Sequence, residues 1–268
     1  MKIDETFARL RQRRETALIP YVTGGYPTLD DSMEHLGVMA SHGADLLEVG
    51  IPFSDPIADG PTIQHASETA LAEGVTLDGI LTALGQVRIE QPIVLMSYLN
   101  PLLAYGRNRL FTAMQKARIS GVIVPDLPVE EADDWRLAAQ AADVSLIGLA
   151  APTSRDERIR AIVRQCSGFL YCVSLTGTTG MRADLAPELD GWLARIKRYT
   201  DLPLGVGFGI SKPEHIRALH GKADGVIVGS RIIDAIRRGE DLAGLIETLK
   251  EATRSTTHVD LDANQRNR

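Results

Sequence analysis

Short apolar runs rich in Val, Ile and Leu recur along the chain and alternate with amphipathic stretches. Such runs of four to eight apolar residues predict strands that are buried on both faces. The predicted strands span residues 18–23, 46–50, 93–97, 121–125, 145–150, 169–174, 204–207 and 225–229. Between them, apolar positions recur with the 3.6-residue period of an α-helix, as at residues 130–142, 156–165 and 190–199.

This alternation of strands and helices predicts an α/β fold with one parallel sheet, because parallel neighbours need a crossover connection that is usually a helix. Eight such units within 268 residues favour a closed (β/α)8 TIM barrel over an open, doubly wound sheet. A short amphipathic segment precedes the first strand and predicts an N-terminal helix. Its end carries a cluster of solvated cations, namely Arg9, Arg11, Arg13 and Arg14.

The domain organisation follows from composition, which is ordinary for a globular protein at 44% hydrophobic and 24% charged residues. No Pro- or Ser-rich linker divides the chain, so residues 1–254 are predicted to form a single barrel domain. Residues 255–268 are polar and aperiodic, and we expect a disordered C-terminal tail there.

Charge and residue usage exclude several classes of function. A net charge of −6 without a basic face argues against a nucleic-acid partner. No apolar run reaches membrane length, and the first residues carry no export signal, so we expect a cytoplasmic protein without membrane contact. Cys166 and Cys172 match neither a disulfide framework nor a metal spacing, and the six histidines show no metal-ligand pair. We therefore predict no metal site.

Acidic side chains near the second predicted strand are the leading candidates for catalysis. Glu48 lies inside the apolar run LLEVG, where lost hydration should raise its pKa towards the range that a general acid needs. The alternative is an outward-facing Glu48 paired with a helix cation. The following proline-stiffened loop carries Asp55 and Asp59. One of them is a candidate second carboxylate, but a role in turn geometry explains either residue equally well.

Glycine-rich loops follow the seventh and eighth predicted strands, as GVGFGIS at residues 205–211 and VGSR at residues 228–231. In TIM barrels these two loops and a short helix form the recurrent phosphate site, because backbone N–H groups and the helix dipole favour an anion. A dinucleotide fingerprint is rejected, since the glycines come late in the chain and Asp224 precedes its strand.

A third glycine-containing loop, SLTGTTGMR at residues 174–182, is long and polar. It predicts a lid that closes over ligand, with a passive surface loop as the alternative. Tyr171, in the strand before this loop, either points into the barrel as a hydrogen-bonding side chain or belongs to the core.

No lysine ends a predicted strand; the lysines are residues 2, 116, 197, 212, 222 and 250. A Schiff-base aldolase needs such a lysine and a metal aldolase needs clustered ligands. Carbon–carbon cleavage by this chain would therefore require a substrate that supplies its own electron sink.

Taken with their surroundings, these runs resemble the α subunit of tryptophan synthase. The most specific match is LEVGIPFSDPIADGPTIQ at residues 47–64. Supporting matches are IPYVT at 19–23, YLNP at 98–101, VPDLP at 124–128, the loop after the sixth strand, GFGIS at 207–211 and VGS at 228–230. The resemblance covers nearly the whole chain apart from its tail.

This resemblance implies a lyase that cleaves indole-3-glycerol phosphate to indole and glyceraldehyde 3-phosphate by a retro-aldol step. Glu48 would protonate indole C3 and assist proton removal from the side-chain hydroxyl, and Asp59 would accept the indole N–H. The other residues that it implies are contacts to the substrate: Tyr171 lining the site, Tyr21 and Ile63 flanking the indole, and Gly180, Gly209, Gly229 and Ser230 at the phosphate.

The resemblance also implies a partner, a β subunit that binds pyridoxal phosphate and receives indole inside an α2β2 heterotetramer. This chain itself would need no cofactor. Asp55, Asp126 and Thr179 would lie in the elements that couple the lid to the partner. Two positions depart from the family pattern, Thr178 where Val is usual and Arg231 where a small residue is usual.

Three alternatives remain beside this reading. The first is a stand-alone indole-releasing lyase of the same fold. The second is a catalytically weak barrel that serves as an allosteric subunit, although the presence of Glu48, Asp59 and the phosphate glycines argues against it. The third is another phosphate-binding barrel of tryptophan synthesis, which would need a strand-end Lys or Cys that the chain does not convincingly offer.

Overall fold

A computed structural model describes residues 2–174, 187–207 and 209–254. Its strands are β1 Ala17–Thr23, β2 Leu47–Gly50, β3 Ile93–Met96, β4 Gly121–Ile123, β5 Ser145–Ile147, β6 Leu149–Ala150, β7 Leu170–Val173, β8 Leu204–Gly207 and β9 Gly225–Val228. Its α-helices are α1 Ile3–Arg13, α2 Leu29–Ser41, α3 Pro61–Ala72, α4 Leu77–Gln86, α5 Leu99–Tyr105, α6 Arg107–Lys116, α7 Ala132–Ala141, α8 Asp156–Gln165, α9 Pro187–Lys197, α10 Pro213–Arg217, α11 Ser230–Arg238 and α12 Leu242–Glu251.

All strand pairs in the sheet are parallel, and the sheet order is β5-β4-β3-β2-β1-β9-β8-β7-β6. Its two terminal strands, β5 and β6, are separated along the chain only by Gly148. Both ends of the sheet are therefore the same passage of chain, and the wall closes on itself. The predicted (β/α)8 barrel and its N-terminal helix are confirmed.

One predicted strand, residues 145–150, is divided in the structure. The Gly148 N–H donates to the Cys166 sulfur at 3.0 Å instead of to the sheet, while its carbonyl still accepts the Tyr171 N–H at 2.9 Å. The chain thus leaves β4 and joins β7 at this residue, which gives β5 and β6. As a result, the sixth, seventh and eighth predicted strands are β7, β8 and β9.

Helix predictions agree to within a few residues. The helix at 156–165 is confirmed as α8. The predicted helix at 130–142 was too long, because a 3-10 turn, Val129–Glu131, precedes α7. The predicted helix at 190–199 was placed too late, since α9 already begins at Pro187, a residue favoured in the first helical turn.

The N-terminal end of the barrel is closed by α1. Ile3, Phe7 and Leu10 are buried there, and the Phe7 ring lies 5.7 Å from that of Phe169 between centroids. A β-carbon at Gly205 would lie only 2.9 Å from the Phe169 ring, so the absence of a side chain at that position makes room for the ring. The core is therefore continuous from α1 into the barrel, which leaves the opposite end for chemistry.

A buried ion pair ties the last helix to the same end of the barrel. The Lys250 ammonium on α12 lies 2.9 Å from the Asp45 carboxylate and 3.3 Å from that of Glu15. Asp45 also accepts the Leu18 N–H at 2.9 Å, at the start of the barrel wall. Because the Lys250 and Asp45 side chains are only 12% and 8% exposed, each charge depends on its partner rather than on water.

Among the helices of the described residues, none combines the length and the apolar character needed to cross a bilayer. The expected tail at 255–268 lies outside the described residues, so the predicted domain limit after residue 254 stays a prediction.

Replacing Lys250 by Met should strongly destabilise the fold, because it leaves the Asp45 and Glu15 carboxylates without their cation. Breaking a buried pair in this way typically costs about 3–5 kcal/mol, which denaturant unfolding would measure. Lys222→Met is the matched control, since the Lys222–Asp190 pair is 43% and 47% exposed and should be worth at most about 1 kcal/mol. Equal losses in the two variants would contradict this account of the buried pair.

Candidate active site

The C-terminal ends of β1, β2 and β7 bring three predicted site residues together. Tyr21 and Glu48 are register partners on neighbouring strands, so their side chains lie side by side. Glu48 is only 1% exposed, and Tyr21 and Tyr171 are 6% and 3% exposed. The charge of Glu48 raises the pKa of both tyrosines in addition to the larger effect of burial, which places all three groups in one electrostatic cluster.

Two glycines make room for the two tyrosine rings. A β-carbon at Gly50 would lie 1.9 Å from the Tyr21 hydroxyl oxygen, and one at Gly207 would lie 2.0 Å from that of Tyr171. Each hydroxyl therefore rests against the bare backbone of the next strand. The Tyr21 hydroxyl also lies within hydrogen-bond distance of the Thr23 hydroxyl, at 3.3 Å. The tyrosines are thus held as fixed walls of the site.

Glu48 has the environment of a general acid. Its Oε2 atom is buried and makes no hydrogen bond with any residue that the structure describes. Burial, and then the nearby charge of Asp59, raises the pKa of Glu48 to about 8. The alternative of an outward-facing Glu48 paired with a helix cation is therefore wrong. At neutral pH this side chain is mostly protonated and can donate a proton into the barrel.

Asp59 lies in the loop between β2 and α3 and is the second carboxylate of the cluster. Burial raises the pKa of Asp59, while a hydrogen bond from the Tyr98 hydroxyl lowers it. The loop around it is tied down, because the Tyr98 hydroxyl accepts the Ala58 N–H at 2.9 Å and the Gln64 amide donates to the Asp59 carbonyl at 2.8 Å. This loop thus presents Asp59 to Glu48 from a fixed position.

Tyr98 is a site residue that the sequence analysis did not assign. It lies two residues after β3, and its ring lies 5.4 Å from that of Phe53 between centroids. Burial raises the pKa of Tyr98 to about 12, so its hydroxyl keeps its proton for Asp59. The available signal was its position, a hydroxyl-bearing aromatic residue at the end of a predicted strand, where barrel chemistry gathers.

Two of the predicted phosphate residues, Gly229 and Ser230, lie at the start of α11. Ser230 is the first residue of this helix, and Gly229 precedes it. A β-carbon at Gly229 would lie 3.5 Å from Ile63 and 3.7 Å from Tyr21, so these three predicted residues are neighbours. Gly209, after β8, has a positive φ of 80°, a conformation that favours glycine. The first backbone N–H groups of a helix have no partner within the helix, and together with its dipole they favour an anion at such a position.

Arg231, one of the two departures from the family pattern, has a partner in the chain that follows α11. Its guanidinium donates to the Glu240 carboxylate at 2.6 Å. The positive charge of Arg231 is therefore paired with Glu240. The other departure, Thr178, lies outside the described residues, as do Thr179, Gly180 and most of the predicted lid.

The remaining predicted coupling residues lie in separate loops. Asp55 is exposed in the loop after β2 and accepts a hydrogen bond from the Ser54 hydroxyl at 2.5 Å. Asp126 follows β4 and accepts the Leu99 N–H at 2.8 Å, which ties this loop to the start of α5. No hydrogen bond joins the two carboxylates within the described residues. Across residues 2–174, 187–207 and 209–254, no group of His, Cys, Asp and Glu side chains is arranged to hold a metal ion.

Comparison with known proteins shows close relatives over almost the full chain. Residues 7–261 match the sequence model of the family described as Tryptophan synthase alpha chain. The chain is 45% identical to the tryptophan synthase alpha chain of Chloroflexus aggregans, over 96% of this chain and 99% of that one. It is 48% identical to that of Chloroflexus aurantiacus, over 88% and 90%. Its fold is similar to the crystal structure of tryptophan synthase subunit alpha from Legionella pneumophila, with a TM-score of 0.86, 37% identity and coverage of 94% and 98%.

Replacing Tyr98 by Phe should raise the pKa of Asp59, because the hydroxyl that stabilises the ionised carboxylate is removed. A carboxyl carbon NMR titration would measure this shift. Tyr105→Phe is the control, since the Tyr105 hydroxyl donates to Asp78 instead, at 2.6 Å on the surface. An Asp59 pKa that stays the same or falls in Tyr98→Phe would contradict the assigned hydrogen bond.

Proposed function

Because this chain belongs to the family of tryptophan synthase alpha chains, we propose that Glu48 and Asp59 carry out the cleavage that defines the family. The chain is a lyase of tryptophan biosynthesis, which splits indole-3-glycerol phosphate into indole and glyceraldehyde 3-phosphate. The observation that carries the proposal is a buried carboxyl with a pKa of about 8 beside a second carboxylate, at the end of a barrel where such enzymes act.

The first step is protonation of the substrate by Glu48. Addition of a proton to indole C3 places a positive charge on the ring, with an iminium bond at the ring nitrogen. The bond between C3 and the glycerol side chain then breaks, and its electron pair restores the aromatic indole. The adjacent side-chain carbon carries a hydroxyl group, and loss of the proton from that hydroxyl gives the aldehyde. The Glu48 carboxylate left by the first step would assist this removal, so no net proton is consumed.

Asp59 would stabilise the positive charge that protonation places on the indole ring. As a carboxylate it accepts the indole N–H and favours the iminium form of the ring. The Tyr98 hydrogen bond supports this role because it keeps the pKa of Asp59 from rising as far as burial alone would take it. Tyr21, Tyr171 and Ile63 would contact the indole from the barrel wall and from α3.

The phosphate would be bound between the loops after β8 and β9. Gly209 and Gly229 allow the backbone to approach the anion, and Ser230 adds a hydroxyl at the start of α11, where the helix dipole favours negative charge. Gly180, outside the described residues, is the fourth predicted contact. Binding energy at the phosphate would position the distant indole against Glu48 and Asp59.

A β subunit is the proposed partner, in an α2β2 assembly in which indole passes to pyridoxal phosphate chemistry on the partner. The names of the relatives, alpha chain and subunit alpha, support a multi-subunit enzyme. Ile57 and Leu103 add to this support, because they are 81% and 55% exposed in elements that follow β2 and β3. Asp55, Asp126 and Thr179 would couple that surface to the site. The biosynthetic role supports a cytoplasmic location.

The alternatives of a stand-alone lyase and of a catalytically weak subunit are separated by one assay. Release of glyceraldehyde 3-phosphate is measured for the chain alone and with its β partner. Slow release alone with a large rise upon addition of partner would support the α-subunit assignment. Full activity alone would favour the stand-alone lyase. No release in either condition would fit the weak subunit, but it would also remove the substrate assignment and leave only the phosphate-binding barrel.

Replacing Glu48 by Gln should lower turnover by about 10²- to 10⁴-fold, since the general acid is removed while the shape of the side chain is kept. Binding of glycerol phosphate, which reports the phosphate loops, should stay near that of the unmodified protein. Glu73→Gln, an exposed residue after α3, is the control for both measurements. Retention of most activity in Glu48→Gln would rule out the acid–base role.

The turnover rate should fall as the pH rises through about 8, because the acid form of Glu48 is lost there. The sign follows from burial, which raises the pKa and so keeps the carboxyl protonated at neutral pH. A pH profile of turnover at limiting substrate, where kcat/KM sets the rate and reports the acid of the free enzyme, would test this. A rate that rises or stays level on the alkaline side would show that Glu48 is not the proton donor.

A further inference from the structure

A cavity lies outside the barrel wall, away from the catalytic cluster. Its volume is about 230 Å³ and it separates α7 from α8 where the wall divides into β5 and β6. Apolar side chains make most of its lining, including Val124, Leu127, Val129, Leu146 and Ile162. An apolar cavity of about 150 Å³ already accepts a benzene ring, so this one has room for a ring or a branched aliphatic group.

Ile162 forms the floor of this cavity against the barrel wall. A β-carbon at Gly148 would lie 2.7 Å from the Ile162 Cγ2 atom, so the side chain of α8 packs directly on the bare backbone of the wall. The Gly148 carbonyl accepts the Tyr171 N–H at 2.9 Å, which joins this residue to β7. None of Tyr21, Glu48, Asp59 and Tyr171 lines the cavity, although its lining residue Leu149 is the register partner of Tyr171 on β7.

A guanidinium marks the mouth of the cavity. Arg158, Ile162 and Gln165 follow one face of α8 at helical spacing, and all three line the cavity. Arg158 pairs with Glu130 through one terminal nitrogen, and its other N–H groups make no hydrogen bond within the described residues. A guanidinium has five N–H donors in a planar fork that suits a carboxylate. The Gln165 amide is already engaged, since it accepts from Arg136 and donates to Asp133, each at 3.0 Å.

We propose that this cavity binds a small apolar carboxylate, with the ring or branched group packed on Ile162 and the carboxylate on Arg158. The cavity is half open, and among the described residues that line it Arg158 is the one cation, beside a cluster of aliphatic side chains. This combination favours an anion that carries an apolar group. The ligand carboxylate would compete with Glu130 for Arg158. The site does not depend on the proposed cleavage reaction.

Methyl NMR of the full chain with labelled isoleucines tests the proposal, with benzoate as the probe. Benzoate should shift the Ile162 methyl signals in a saturable manner and leave those of Ile63, beside Gly229 in the catalytic site, unchanged. Shifts confined to Ile63 would mean binding in the catalytic site and would overturn the proposal. No saturable shift at Ile162 would overturn it as well.

Three substitutions at exposed positions test the role of Arg158. Arg158→Gln should weaken benzoate binding by about tenfold, the effect expected for a lost charge-assisted hydrogen bond. Glu130→Gln should strengthen it by less than about fivefold, because an exposed competing ion pair is removed. Arg164→Gln, on α8 but outside the cavity, is the control and should change nothing. Equal affinity in Arg158→Gln and Arg164→Gln would overturn the assignment.

Discussion

The chemistry of this protein depends on the removal of water from one carboxyl group. Glu48 is buried at the end of an apolar strand without a neutralising cation among the described residues, so its ionised form is disfavoured. The rest of the site maintains this condition. Tyr21 and Tyr171 exclude solvent from the barrel side, and the anchored loop brings Asp59 close enough to disfavour a second charge further. Two carboxylic acids are thereby placed in different surroundings, as the proposed roles of Glu48 and Asp59 require.

Much of this arrangement could be predicted from local patterns. Glu48 was recognisable because a charged residue interrupts an apolar strand, and the glycine loops because they follow two late strands. The choice between Asp55 and Asp59 could not be made from spacing, and the structure separates them by environment: one is exposed, the other half-buried beside Tyr98. The catalytic and binding roles themselves stay predictions.

Long-range hydrogen bonds explain what the patterns missed. Tyr98 holds the backbone of Ala58, which lies 40 residues earlier in the chain, and no periodicity encodes such a contact. The division of the fifth predicted strand has a similar origin, since the Gly148 N–H is taken by a sulfur 18 residues later. Strand and helix periods report which face of an element is buried, but not where a single polar group finds its partner.

The two glycines under the tyrosine hydroxyls, Gly50 and Gly207, restrict how this site can change through evolution. Any side chain at either position would collide with a ring that is itself buried, so a single substitution there cannot reshape this end of the barrel interior. Each glycine and the tyrosine ring that it contacts would have to change together, and a protein with only one of the two changes would be destabilised. New substrate preferences in this barrel should therefore arise from the loops above the strands, while this end of the barrel interior is inherited unchanged.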